Sequence, residues 1–281
     1  MTQAPQISFL PDKRRLHLHH GPIDMIVDVK GPGRDAALRR AAIRFDTLLD
    51  ELVADLDRLR KQDGPDPTTM PARHMVKAVV PFAPRFITPM AAVAGAGADT
   101  MLAAICDGPG VMKAYVNNGG DIAFHLSGGE TVTVAVGSAA PAQINVCADD
   151  PVKGIATSGW QGRSASRGIA DAVTVLATSG AGADAAATMI ANAVDLPGHP
   201  GIKREPANDL SPDSDLGCRL VTCSVGPLCN ADIETALPAG SCYAQTLVEK
   251  GLITGAYLTL QGRSRAVGLL PLVQQKVLHH A

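Results

Sequence analysis

Across residues 35–60, Leu38, Ala41, Ala42, Phe45, Leu48, Leu49, Leu52, Leu56 and Leu59 recur at spacings of three and four. That period lays them along one stripe of a helix, with arginines and aspartates on the opposite face. Gly31-Pro32-Gly33 before it and Asp63-Gly64-Pro65-Asp66-Pro67 after it are breakers. A stripe this long must lie on an apolar surface, and the rest of the chain has to supply one. Residues 25–29 read as a strand, and 89–105 as an Ala-rich helix whose glycines permit close packing or close approach to a ligand. Residues 111–117, 121–126, 131–136 and 172–177 read as strands. Ser127-Gly128-Gly129-Glu130 reads as a hairpin turn and Asn118-Gly119-Gly120 as an interruption. Residues 75–80 suggest a strand in a Pro-rich connection, 183–194 a second helix, and 197–215 a long polar connection with a hinge position. A strand at 219–225, a helix at 232–251 and a strand at 256–265 turning at Gly262 close the chain. Contiguous strands flanked by helices, without regular βαβ alternation, indicate an α+β fold.

The core has to be small and aliphatic, because 46% of the 281 residues are hydrophobic but only 3% aromatic. A net charge of -2 and few aromatic rings argue against nucleic acid as a partner. The apolar stretches 86–112 and 173–194 carry Asp99, Asp107 and Asp184, so no membrane span or membrane partner is expected. The opening residues show no apolar leader, which implies a cytoplasmic, reducing location. Cys218, Cys223, Cys229 and Cys242 lack the paired spacing of a zinc knuckle and read as buried thiols.

Three segments carry candidate chemistry. On a helix, Asp184 and Thr188 share a face as i and i+4. A carboxylate and a hydroxyl together suit Mg²⁺, and the first turns of a helix attract an anion such as pyrophosphate. The alternative is an aspartate complementing the dipole and a threonine bonded to its own backbone. Asn117-Asn118-Gly119-Gly120-Asp121 offers backbone amides to a ligand, or is an ordinary loop. Ala94-Gly95-Ala96-Gly97-Ala98-Asp99 does not complete the dinucleotide fingerprint. Trp160, after Thr157-Ser158-Gly159, can stack on a flavin or adenine ring, or simply pack.

In order, AGAGAD (94–99), NNGGDI (117–122), GIATSG (154–159) and AVTVLATSGAGADAAAT (172–188) resemble the ApbE flavin transferases, the FAD:protein FMN transferases, and within them a cytoplasmic ApbE-related branch. The resemblance covers residues 85–195. It implies one ApbE-like, T-fold-related α+β domain over 1–281, with mixed sheets packed against helices. It implies Gly95, Asp99, Asn117, Gly119, Gly120, Asp121, Thr157, Ser158, Gly159 and Trp160 as cofactor-binding residues. It further implies Asp184 and Thr188 as catalytic and Mg²⁺-holding residues beside the FAD pyrophosphate, and an acceptor flavoprotein as partner. A homo-oligomer is left open. The lysine of the family's A-K-G-x3-D falls at Ala94, and its H-x-x-D-P segment is replaced by GWQGRSASRGIAD, where Arg163 and Arg167 are candidate phosphate partners. Three functions follow: FMN transfer from FAD to a protein threonine or FAD hydrolysis, nucleotide binding without transfer, and an enzyme of cofactor metabolism with another small substrate.

Overall fold

Nine strands join edge to edge in the order β1 (Gln6–Phe9), β2 (Leu16–His20), β3 (Ile23–Lys30), β4 (Lys113–Asn118), β5 (Asp121–Leu126), β8 (Gly154–Ser158), β9 (Ala172–Ala177), β12 (Gly255–Leu260) and β13 (Arg263–Gly268), each antiparallel to its neighbours. The computed structural model describes residues 4–136 and 142–273. The chain begins with β1 (Gln6–Phe9), β2 (Leu16–His20) and β3 (Ile23–Lys30). In β2 the side chains of Leu16, Leu18 and His20 alternate inward, the period-2 pattern of a half-buried strand. His17, His19 and His20 are thus part of the sheet, and His20 sits edge-on to Phe45 at 6.3 Å.

The amphipathic segment forms α1 (Arg34–Ala54), then breaks at Asp55 before the single turn of α2 (Leu56–Leu59). The break has a cause. The Asp55 carboxylate accepts from the backbone amides of Thr68 at 3.0 Å and Thr69 at 2.8 Å, tying this end to the next helix. That helix, α3 (Met70–Val79), stands where a strand was expected over 75–80. Pro71 is tolerated in a first turn, and Pro71, Ala72, Met75 and Val79 form a buried helical stripe. After a 3-10 turn at Pro89–Ala92, α4 (Val93–Cys106) follows as expected. The span Pro89–Cys106 is long and apolar enough to cross a membrane by length and composition, but half of it is buried against the protein.

β4 (Lys113–Asn118) and β5 (Asp121–Leu126) are joined by Gly119-Gly120, with φ of +66° and +115°. The expected interruption is therefore the hairpin turn, a conformation glycine adopts without strain. Ser127–Glu130 makes no hairpin: β6 (Thr131–Val136) leaves the main sheet to pair with β7 (Ala142–Cys147). The chain returns through β8 (Gly154–Ser158) and β9 (Ala172–Ala177) to α5 (Gly180–Ala193). The connection at 197–215 contains β10 (Ile202–Pro206) and α6 (Ala207–Leu210), and β10 pairs with β11 (Leu220–Val225). Then come α7 (Asn230–Glu249), the hairpin β12 (Gly255–Leu260) and β13 (Arg263–Gly268), and β14 (Leu272–Val273) beside β7.

The architecture is α+β. Helices α1, α4, α5 and α7 cover one face of the large sheet, over a core that includes Leu18, Met25, Phe45, Met101 and Ile190. A second core, with Phe124, Ile144, Ile155 and Leu176, lies under the small sheet of β6 and β7. This double cover explains β9, buried at every residue. All six cysteines are free, and Cys218, Cys229 and Cys242 are exposed instead of buried.

Candidate functional site

The pentapeptide Gly-Ala-Gly-Ala-Asp occurs twice, at 95–99 in α4 and 180–184 in α5. The two copies face each other. A Cβ on Gly95 would sit 2.7 Å from the Ala181 nitrogen and closer still to the Gly180 carbonyl; one on Gly180 would sit 2.8 Å from the Gly95 oxygen. Only glycine lets two helix backbones approach this closely. One turn beyond each glycine, an aspartate reaches across. Asp99 accepts from the Gly180 and Ala181 amides, both at 2.8 Å, and Asp184 accepts from the Gly95 amide at 3.0 Å. The helices are held by a reciprocal clasp.

The clasp revises two expectations. Gly95 serves helix packing, and the start of α5 is not an open anion site. Asp99 takes two of its amides, the Ser179 hydroxyl takes that of Gly182 at 3.1 Å, and the Ser179 carbonyl takes that of Ala183. All the amides that a diphosphate would need there are satisfied within the protein.

Asp184 does not stand alone in this interior. Asp121, at the start of β5, accepts from the Thr157 amide at 3.1 Å, while the Thr157 hydroxyl meets Thr174 at 2.9 Å. Burial, outweighing the Thr157 amide and the Arg163 charge, pushes the Asp121 carboxyl up to about 6. Burial, joined by the charge of Asp121, holds the Asp184 carboxyl well above the usual range, against the amides of Gly95 and Ala94. Asp99 is raised by burial as well. Three carboxylates crowd one poorly hydrated region, and each is costly there as an uncompensated anion.

The other predicted residues surround this centre. The Asn117 side chain accepts from the Gly120 amide at 2.8 Å and shapes the turn; buried Asn118, which the sequence reading did not select, donates to the Ala94 carbonyl at 3.0 Å and anchors α4. The Arg163 guanidinium lies directly over Gly119, where a side chain would collide with it. Gly159 packs against the Asp171 carbonyl, and half-buried Trp160 reaches the Asp171 carboxylate through its ring nitrogen at 3.4 Å. Ser158 ends β8 next to them. Thr188 lies one helical turn beyond Asp184 and opens into a small crevice with Phe86, Thr88 and Asp215.

Its hydroxyl does not make the bond to the carbonyl four residues earlier that Thr100 makes at 2.7 Å, and it has no hydrogen-bond partner among the described residues. A carboxylate and a free hydroxyl on one face are hard oxygen donors of the kind Mg²⁺ accepts, provided waters or ligand phosphates complete the shell. They fit that ion better than a soft or nitrogen-seeking metal. Among the described residues no group of three or more His, Cys, Asp or Glu side chains is placed to hold a metal by itself. The doubled pentapeptide was the available signal for the clasp; Asn118 carried none beyond its place in the Asn117–Asp121 run.

A family model described as AbpE bacteria matches residues 7–266. A UPF0280 protein of Methanococcoides burtonii is 37% identical over 120 residues, 42% of this chain and 50% of that protein. A second UPF0280 protein, from Methanopyrus kandleri, is 42% identical over 123 residues, 43% of this chain and 48% of that protein. The chain thus spans about half the length of the curated relatives it matches. The apo crystal structure of a flavinyl transferase ApbE from Pseudomonas stutzeri superposes with a TM-score of 0.52 at 13% identity, over 94% of this chain and 96% of that one, a similarity of fold.

Proposed function

The chain belongs to the AbpE bacteria family, and from that premise we propose that it binds FAD, or a closely related nucleotide, together with Mg²⁺ held by Asp184 and Thr188. The observation that carries the reading is the oxygen set on α5: the Asp184 carboxylate, held by the Gly95 amide but crowded by Asp121, one turn from the Thr188 hydroxyl, which has no partner among the described residues. A divalent cation offsets the repulsion that Asp121 and Asp184 exert on each other. Bound there, Mg²⁺ supplies neutralisation of the diphosphate oxygens as negative charge develops on them.

The chain's own residues do the rest. Asp121 fixes the end of β8 through the Thr157 amide, presenting Thr157 and Ser158 at the rim. Arg163 covers Gly119, leaving the Gly120 side of the turn open, and its charge suits a phosphate. Trp160, steadied by Asp171, offers an aromatic face to a ring system. The reaction assigned to this site is cleavage of the FAD phosphoanhydride, with AMP leaving and FMN passing to a threonine hydroxyl of an acceptor flavoprotein or to water. A second reading, nucleotide retention without transfer, is favoured by Ala94. The position where the resemblance calls for a lysine carries a methyl group, and its carbonyl is occupied by Asn118.

Incubation of the protein with FAD and Mg²⁺, with AMP and FMN followed by chromatography, tests the reaction. AMP release that stops on chelation is the expected result. No AMP above a protein-free control, with FAD still bound, favours retention without transfer; neither release nor binding overturns both readings.

A further inference from the structure

Beyond the α5 face lies a second, larger feature, a cavity of about 640 Å³ between the C-terminal half of α5, the β10–β11 pair and Phe86. Arg85, Arg167, Arg204 and Arg219 line it, with Asp195 the one acid in its wall among the described residues. These arginines come from four separate stretches of chain, so the concentration of charge is made by the fold.

Each guanidinium is held differently. The Arg219 guanidinium carbon lies 3.3 Å from the Phe86 ring centroid and that of Arg85 4.2 Å from the Tyr243 ring centroid, a cation–π contact that leaves N–H groups available to donate; one Arg219 N–H donates to the Leu216 carbonyl at 3.3 Å. Arg204 is ion-paired to Asp195, yet its Nε is buried without a partner among the described residues. Arg167 is fixed through its backbone amide, which donates to Asn192 at 2.8 Å, while its side chain has no partner among the described residues. Of the four, Arg204 alone carries a buried donor without an acceptor, which is costly, while Arg85, Arg167 and Arg219 stand exposed around the same cavity. An anion in the cavity would supply that acceptor and balance the excess of positive charge. The cavity shares Phe86, Arg167, Met189 and Asn192 with the crevice that holds Thr188, so its occupant would end beside the α5 face.

We propose that this cavity is a binding site for a small organic anion bearing phosphate or carboxylate groups, separate from the nucleotide and placed as a second substrate beside the α5 face. The role as second substrate rests on the α5 site being the reaction centre; the binding itself does not.

The test is calorimetric titration of the full chain with inorganic pyrophosphate and, separately, citrate, in the parent, Arg167→Ala, Arg219→Ala and Asp184→Asn. Arg167 is exposed, so its truncation leaves the core intact. Saturable binding of either probe is expected, weakened about tenfold in each arginine variant, the scale of one lost charge-assisted hydrogen bond, and unchanged in Asp184→Asn. Pyrophosphate alone would mark a phosphate ligand and citrate alone a carboxylate. No saturable binding of either probe, or binding indifferent to both arginine substitutions, overturns the proposal. So does displacement of the probe by FAD, which would make the cavity part of the nucleotide site. A protein that binds neither FAD nor Mg²⁺ but keeps arginine-dependent probe binding would sink the FAD reading and leave this one standing.

Discussion

Gly95→Ala strains the junction between α4 and α5. The added methyl would lie 2.7 Å from the Ala181 nitrogen and nearer to the Gly180 carbonyl, where an ordinary contact needs at least 3.4 Å. Both neighbours are backbone, so no rotamer change relieves the overlap. The helices must part by about 1 Å, and the 2.8 Å bonds from Gly180 and Ala181 to Asp99 then stretch beyond useful length. Overpacking alone costs roughly 1–3 kcal/mol, and weakening two hydrogen bonds to a carboxylate adds about 1–2 kcal/mol. Alanine's better helix propensity returns about 1 kcal/mol. The net expectation is a loss of about 1–4 kcal/mol, a substantial part of the stability of an ordinary domain. Urea unfolding followed by circular dichroism measures it, with hydrogen exchange at Gly180 and Ala181 reporting whether the clasp opens locally. Stability within about 0.5 kcal/mol of the parent, the scatter of an innocuous substitution, with unchanged exchange at those amides, would refute the reasoning.

Three further outcomes follow from the same geometry. Asp99→Ala leaves two amides at the start of α5 without acceptors and should cost about 1–3 kcal/mol in the same unfolding assay, the range for a lost helix cap with buried donors; the raised carboxyl it removes offsets part of this. Asp121 is raised to about 6 in the folded chain, so the folded state keeps a proton that the unfolded chain releases near pH 4. Stability from that proton is therefore present at low pH and lost as pH rises through 6. Without metal, the parent should lose stability relative to Asp121→Asn between about pH 4 and 7, and parallel pH profiles would rule this out. Gly119→Ala forces a side chain into left-handed backbone at φ +66° and against Arg163; a loss of roughly 1–2 kcal/mol is expected, and thermal unfolding indistinguishable from the parent would contradict it.

The sequence showed those parts of the fold that local pattern controls. β5 and β9 begin and end where alternation and apolar runs place them, and α1 follows its stripe until Asp55 finds Thr68 and Thr69, a contact no window on the helix contains. α3 read as a strand because Val76, Val79 and Val80 favour extended backbone, while the cue that prevails is a helical stripe begun by Pro71. β2 escaped notice because three of its five residues are histidines, which mask the alternation of Leu16 and Leu18. At the site, the residue types were legible but their division of labour was not. Asp99, Asn117 and Gly95 read as ligand contacts, and each proves committed to backbone groups of its own protein. The arginine cavity could not be read at all, since residues 85, 167, 204 and 219 meet only in three dimensions.

Asp184 and Thr188 are proposed to form a cation-dependent nucleotide site. Titration of FAD into the parent and into Asp184→Asn, each with Mg²⁺ and with chelator, by flavin fluorescence, tests it most directly. FAD affinity should rise with Mg²⁺ in the parent and lose that dependence in Asp184→Asn, whose fold, verified by circular dichroism, remains. Equal FAD affinity in both proteins, with or without Mg²⁺, would contradict it.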